Sequence, residues 1–340
     1  MSSSSGYLSL YSLHSLLVLT WYRDQDSTSP ADLHLNLYGY TPTKSVCIIF
    51  VLLFCVSTLL HIWQSIRSRA WWLLPTVALA GAAEIVGWVA RTISSNDPTV
   101  RMPYIIQVSI LVLAPTPFVA ALFIGFGRVS DRLGAEYSRL RPSLYSKIFL
   151  TCDITSLLIQ GGGGGIAATS TTDPSKVRLG SNIILGGLFI QIIAMSIFVA
   201  CMCEYAYRRA VDRPFRKPAM MSYREAGTPA VHRTLTRPMK MLIAGICLAT
   251  GFIYIRSVYR IIEFINGFDG PIAHNQTLFE LFDGMLVTLA MYTLNFMHPG
   301  QLLKATAEPE VPYALADRSQ VSFSRRTSPT VEVYMPTGQK

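Results

Sequence analysis

The stretch "MLIAGICLATGFIYIRSVYRIIEFING", residues 241–267, decides how this chain is read. It begins as an apolar run of the kind that enters lipid, then carries Arg256, Arg260 and Glu263. Those three are spaced four and three apart, so on a helix they share one face. A charge at mid-bilayer costs about 2.5–3.5 kcal/mol on insertion scales. A membrane helix that accepts three of them must turn that face away from lipid, toward other helices that carry charge of their own.

The rest of the chain supplies the membrane context. Hydrophobic residues make up 51% of the 340, charged residues only 14%, and the mean hydropathy is +0.37, an unusual balance for a soluble globular protein. Apolar runs long enough to cross a ~30 Å hydrocarbon core recur near 44–66, 71–93, 104–127, 145–169, 180–205, 239–263 and 279–298. Lipid leaves no partner for an open sheet edge, so the spans are helices. The expected fold is an all-α integral membrane protein with seven transmembrane helices over 41–303. An extracytoplasmic extension (1–40) precedes it, and a disordered cytoplasmic tail (304–340) follows.

Charge sets the orientation. With seven spans and the N-terminus outside, 21 of the 29 Lys and Arg residues fall on the cytoplasmic side, and the positive-inside rule selects that topology. The sequon "NQT" at Asn275 then lies in an outside loop, where glycosylation is expected. The net charge of +9 is accordingly a topology and lipid-attraction signal, with no nucleic acid among the expected partners.

Several motifs invite stronger readings and fail to carry them. The patch "LSLYSLHSLLVLTW" near the N-terminus is too short to span and lacks a basic flank or a small-residue cleavage site. "SRRTSPT" in the tail resembles a basophilic kinase site around Thr327 and Ser328, and the Pro-punctuated loop 206–240 cannot form one long helix. The six cysteines all sit inside spans with no C-x-x-C and no His at ligand spacing, so metal and cofactor roles are not expected. "QGGGGGIAAT", 160–169, lacks the Gly-Lys-Ser/Thr ending of a phosphate loop. Its glycines serve either close helix packing or an unwound turn lining a substrate path.

The polar residues inside the spans are the candidate site. Span two carries Glu84 and Arg91; span three carries Gln107, then Pro115 and Pro117, which should break it. Span four carries Asp153, Ser156 and Gln160 on one face, span five Gln191, and span seven Glu280 and Asp283, with His298 at its end. Arg91, Glu280 and Arg256 lie near span ends, where long side chains can snorkel. Glu84, Asp153, Arg260 and Asp283 lie deeper and argue for a shared interior, with carboxylates of spans two, four and seven facing span six. Pairing that merely specifies helix packing is the alternative.

Six segments carry a resemblance: "EIVGWVAR", "APTPFVAALFIGFGR", "DITSLLIQGGGGG", "GGLFIQ", "RSVYRIIEFINGFDG" and "LFDGML…HPG", in that order, with "YGYTP" ahead of the first span. Over about 38–303 the chain resembles the fungal aminocholesterol-resistance family, the RTA-like lipid-translocating exporters. The resemblance implies a seven-helix, N-outside membrane protein, at the plasma membrane or an endomembrane, that exports or flips sphingoid long-chain bases and sterol-like toxicants. The family's polar positions fall on Glu84, Arg91, Gln107, Asp153, Gln160, Gln191, Arg256, Arg260, Glu263 and Asp283. Departures occur where the family has a His-Glu pair, here Asn275-Gln276, and tyrosines, here Glu280 and Phe123, which points to an altered outer end of the pathway.

Transport of a lipid-like amphiphile is therefore the leading function. A heptahelical sensor, whose ligand shifts helix packing, is the second reading. An embedded hydrolase is disfavoured, since no H-x-x-x-H or H-x-x-x-D pair and no nucleophile elbow occurs. Within the spans five acids (Glu84, Asp153, Glu263, Glu280, Asp283) face three bases (Arg91, Arg256, Arg260), a surplus that favours a cationic amphiphile.

Overall fold

A computed structural model describes residues 38, 40–169, 174–215, 236–265, 267, 270 and 272–306. The N-terminal patch, the tail motif and most of the 206–240 loop lie outside the described residues. Those described are helical, without a strand, and form seven helical rods. Helix α1 spans Lys44–Ser68 and α2 Trp71–Ser94; α3 is Arg101–Leu133 and α4 Pro142–Thr169. Helix α5 is Pro174–Ala210, α6 Arg237–Ile265 and α7 Gln276–Ala305. All but α4 are long and apolar enough to cross a membrane. In α4 the glycine run, Asp153 and Gln160 dilute the apolar content.

Neighbours in sequence pack as neighbours in space, α7 returns to pack on α1, and α6 touches α3, α5 and α7. The bundle is therefore a closed ring whose interior is crossed by the contact of α3 with α6. Its surface is apolar: Leu59, Leu158 and Ile193 are each more than half exposed, as are many other Leu and Ile side chains. Its interior holds Glu84, Arg91, Asp153, Arg256, Arg260 and Asp283, all buried. Apolar outside and charged inside is the distribution of a multi-pass membrane protein, in which lipid solvates the surface and helices solvate the charges.

Three irregularities matter. Pro115 has no N–H and its ring crowds the preceding turn, so α3 is interrupted at Ala114, as the "APTP" reading expects. Ala114 nevertheless keeps right-handed helical torsions (φ −55°, ψ −41°). Wide π turns occupy Leu74–Ala78 in α2 and Glu280–Met285 in α7. The glycine run does not unwind; α4 is continuous through Thr169. Gly163 alone of the run meets a neighbour, since a Cβ there would lie 2.7 Å from the Gly180 carbonyl oxygen of α5.

An aromatic core ties α3, α4 and α5 together: Phe123, Phe126, Tyr145, Phe149 and Phe198 meet edge-to-face, tilted or, for Tyr145 and Phe149, stacked, at centroid distances of 4.6–6.4 Å. Such pairs add about 0.5–1.5 kcal/mol each beyond their burial. Phe123 belongs to this core and not to the outer end of a pathway, a correction to the expectation drawn from its position. It lies 16 residues beyond Gln107, about 24 Å along a helix, and its ring is fully buried among other rings.

Candidate functional site

Helix α6 places Arg256, Arg260 and Glu263 on one inward face, as their spacing dictates, and all three are buried. Asp283, on the π turn of α7, receives both arginines. Arg260 donates from Nε to Asp283 Oδ1 (2.9 Å) and from Nη2 to Oδ2 (2.6 Å), the forked geometry a carboxylate accepts best. Its Nη1 donates to Glu263 Oε2 at 2.9 Å. Arg256 Nε lies 2.7 Å from Asp283 Oδ1, but without hydrogen-bond alignment, and its Nη2 donates to the Leu111 carbonyl at 2.7 Å. That carbonyl sits near the end of the first half of α3, one turn ahead of the proline break.

Glu84 of α2 lies beside this cluster, within electrostatic reach of Asp283, Arg256 and Arg260 but beyond ion-pair distance, and among the described residues its Oε1 has no partner. Asp283 is held in place by packing: a Cβ on the adjacent Gly284 would lie 2.6 Å from Trp88 and 2.9 Å from Phe50, two rings stacked at 4.2 Å. Only a glycine lets the π turn approach them so closely.

The expectation that span four also faces span six is not met. Asp153 is buried, but among the described residues no basic group acts on it and its Oδ2 has no partner. Its helical neighbours form a separate polar seam with α5. Ser156 Oγ donates to the Gly187 carbonyl (2.6 Å), and Gln160 Nε2 donates to Ser156 Oγ (2.7 Å) and Gln191 Oε1 (3.3 Å). The glycine at 187 admits this contact, since a Cβ would lie 2.6 Å from Gln160 Cγ. Gln160 and Gln191 are thus together and apart from the arginines, with Asp153 about one turn from Ser156 on the same face of α4.

Nor do Arg91 and Arg256 snorkel: they are 1% and 5% exposed. Arg91 turns inward to a cavity of about 40 Å³ that lies between the first residues of the described chain, the ends of α2 and α6, and the starts of α3 and α7. Arg91, Gln107, Arg260, Glu263, Tyr104 and Phe279 line it, with Tyr38 and Tyr40 from the "YGYTP" segment. Tyr38 Oη donates to Gln107 Oε1 at 2.6 Å, and Arg91 Nη2 donates to Tyr40 Oη at 2.8 Å. Burial pushes the Tyr38 phenol up to about 12, so it stays a neutral donor. The ring of Tyr38 also meets Tyr104 edge-on at 4.7 Å. Tyr38, Tyr40, His274 and Phe279 were not among the residues singled out by charge. The signal that finds the tyrosines is a pair of aromatics two apart just ahead of Pro42 and the first span.

A second interior seam joins α1 to α7. Asn295 Nδ2 donates to Ser57 Oγ (2.6 Å), Gln64 Nε2 donates to the Asn295 carbonyl (3.0 Å), and His61 Nε2 lies 3.0 Å from the Met291 carbonyl. His298, noted for its place at the end of span seven, stands near His61 with ring centroids 6.1 Å apart. Its Nδ1 accepts from the Gln301 N–H and so N-caps Pro299–Ala305, the short segment that closes α7 after a break at Met297. Asn275, the sequon residue, is exposed and caps the other end, its Oδ1 accepting from the Leu278 N–H at 3.2 Å.

A helical membrane bundle with an interior ion-pair centre beside a small aromatic-rimmed cavity is the class these features define. Residues 77–306 match the family described as "RTA1 like protein", and the chain belongs to that family. Among its relatives is Protein RTA1 of Saccharomyces cerevisiae, 32% identical over 275 residues, covering 74% of this chain and 80% of the relative. The Sphingoid long-chain base transporter RSB1 of the same yeast is 24% identical over 297 residues, 82% of this chain and 78% of the relative. Protein RTM1, also from that yeast, is 26% identical over 295 residues, 75% and 89% of the two chains. No solved structure matches the chain.

Proposed function

We propose that this protein is a seven-span transporter that moves amine-bearing long-chain amphiphiles across the membrane, from an N-outside, C-inside topology. The observation that carries the reading is the charge balance of the ion-pair centre. Glu84, Glu263 and Asp283 are buried with Arg256 and Arg260, and Arg91 stands beside them at the adjoining cavity with Glu280 in its electrostatic reach, so four acids face three bases, one formal negative charge in excess when all seven are ionised. In low dielectric such an excess calls for a cation or a proton. An ammonium headgroup at Glu263, in the adjoining cavity, supplies the cation, and the aromatic rim favours it further by cation–π attraction. The hydrocarbon chain then lies along the apolar helix faces.

Two further points support the topology. Helix α4 has 28 residues, about 42 Å at 1.5 Å per residue, enough to cross, and it packs between α3 and α5 as a span would. The bias of Lys and Arg and the position of Asn275 support the orientation. A relative named for sphingoid long-chain bases, which are amino alcohols, agrees with the amine. The test is efflux of a fluorescent sphingoid base and of its N-acetylated analogue from cells with and without the protein. Faster release of the amine alone is expected; equal handling of the two would remove the charge-matching argument.

A further inference from the structure

Arg91 differs from the other two arginines of the interior. Arg256 and Arg260 share Asp283, and Arg260 also holds Glu263. Arg91 is as deeply buried, yet among the described residues no carboxylate lies within ion-pair distance of it. The acid that comes nearest in electrostatic effect, Glu280, is engaged by Gln276 Nε2 at 2.5 Å instead. What surrounds Arg91 is aromatic: Phe279 at 4.5 Å from its guanidinium carbon, Tyr38 at 5.5 Å, Tyr40 at 5.6 Å and Trp88 at 5.9 Å. Rings stabilise a cation through their faces but do not accept the N–H bonds that lie in the guanidinium plane. Of those five N–H groups one reaches Tyr40 Oη, the Cys47 thiol stands against the guanidinium, and among the described residues Nε has no partner.

A buried, positively charged fork with unfilled donors, opening on a cavity, is a site for an oxyanion. We propose that Arg91 is the anion-binding end of the cavity and takes a phosphate or carboxylate of the headgroup whose amine sits at the Glu263 end. The inference rests on reading the cavity as a headgroup site. The preferred substrate then carries both charges: a long-chain amine that also bears an acidic oxygen group. The cavity's size agrees. At about 40 Å³ it holds roughly three water positions, room for a small polar group but not for a hydrocarbon chain. Gln107, already fixed by Tyr38, lines the same wall and offers a second polar contact.

The experiment is a binding comparison on the full-length protein in detergent micelles. The probes are a long-chain amino alcohol, its phosphate monoester, and inorganic phosphate. Wild type should bind the phosphate ester at least tenfold more tightly than the parent amine. Arg91→Gln should erase that ratio, and Arg91→Lys, which keeps the charge but not the fork, should retain part of it. Equal binding of the two amphiphiles by wild type, or an unchanged ratio in Arg91→Gln, overturns the proposal. Should Arg91→Gln not yield folded protein, the wild-type ratio and its reduction in Arg91→Lys decide the matter. Inorganic phosphate that displaces the ester at equal concentration would assign the site to free phosphate and overturn the headgroup assignment. Binding of the parent amine without any phosphate preference defeats this inference alone, whereas binding of neither amphiphile defeats the transport reading on which it rests.

Discussion

At the scale of the residue, the two arginines of α6 are unequal. Arg260 makes three hydrogen bonds to carboxylate oxygens, whereas Arg256 contributes one unaligned ion pair and a bond to a backbone carbonyl. Arg260→Ala would strand Glu263 and most of Asp283 in a dry interior, at a cost of about 3–5 kcal/mol. Arg256→Ala leaves Asp283 forked to Arg260 and should cost about 1–3 kcal/mol. Thermal unfolding in detergent should therefore rank Arg260→Ala well below Arg256→Ala. Adding Asp283→Asn should recover part of the loss, while adding Asp153→Asn should recover none, because neither arginine acts on Asp153. Identical melting curves for the two single variants would reduce the cluster to interchangeable packing. The spacing of Arg256, Arg260 and Glu263 told which face they share. It could not tell which carboxylate they meet, since that depends on the rotation and depth of a different helix.

At the scale of the element, regular periodicity and the proline break were legible, and the other irregularities were not. All seven apolar runs correspond to helices, and the break at Pro115 follows from a missing N–H. The π turn at "ELFDGM" had no comparable mark in sequence. It inserts a wider turn around Asp283, and what maintains it is tertiary: the close approach of Gly284 to Trp88 and Phe50. The glycine run was ambiguous for the same reason, because glycine permits both packing and unwinding. The structure separates its members. A Cβ at Gly163 would meet the Gly180 carbonyl and the Ile184 N–H nitrogen at 2.7 and 2.9 Å, backbone atoms that cannot swing aside. At Gly162 and Gly164 nothing lies within 4 Å. Gly163→Ala should therefore destabilise by about 1–3 kcal/mol through overpacking. Gly162→Ala and Gly164→Ala should be neutral or stabilise by up to about 1 kcal/mol through helix propensity. The measurement is the midpoint of thermal unfolding for the three variants side by side, and a common shift would contradict the packing of α4 on α5.

At the scale of the whole molecule, the ring of helices gathers the cavity, the sequon and the turn after α6 at one end. The cavity takes Tyr38 and Tyr40 from ahead of α1, Arg91 from the end of α2, and Ala273 and His274 from ahead of α7. If the N-terminus is outside, that end faces outward, and the connections rich in Lys and Arg at 67–70, 128–147, 206–215 and 236–240 all lie at the other. A tag placed after Lys340 should then be shielded from external protease in intact cells and cleaved once they are permeabilised. Asn275 offers an independent reading of the same topology. Its Oδ1 caps α7, while a glycan attaches through its nitrogen, so capping and glycosylation are compatible. Aspartate caps a helix as well as asparagine does but cannot be glycosylated. Asn275→Asp should therefore abolish a glycosidase-sensitive gel shift while leaving the unfolding temperature unchanged, whereas Asn275→Ala should abolish the shift and cost about 0.5–2 kcal/mol as the cap is lost. The sequon lies directly against the start of α7, where the glycosylation machinery has little room, so the tag is the stronger arm of the pair. A tag cleaved on intact cells would place the C-terminus outside and reverse the cavity to the cytoplasmic face, and an odd number of spans with the N-terminus outside could not survive it.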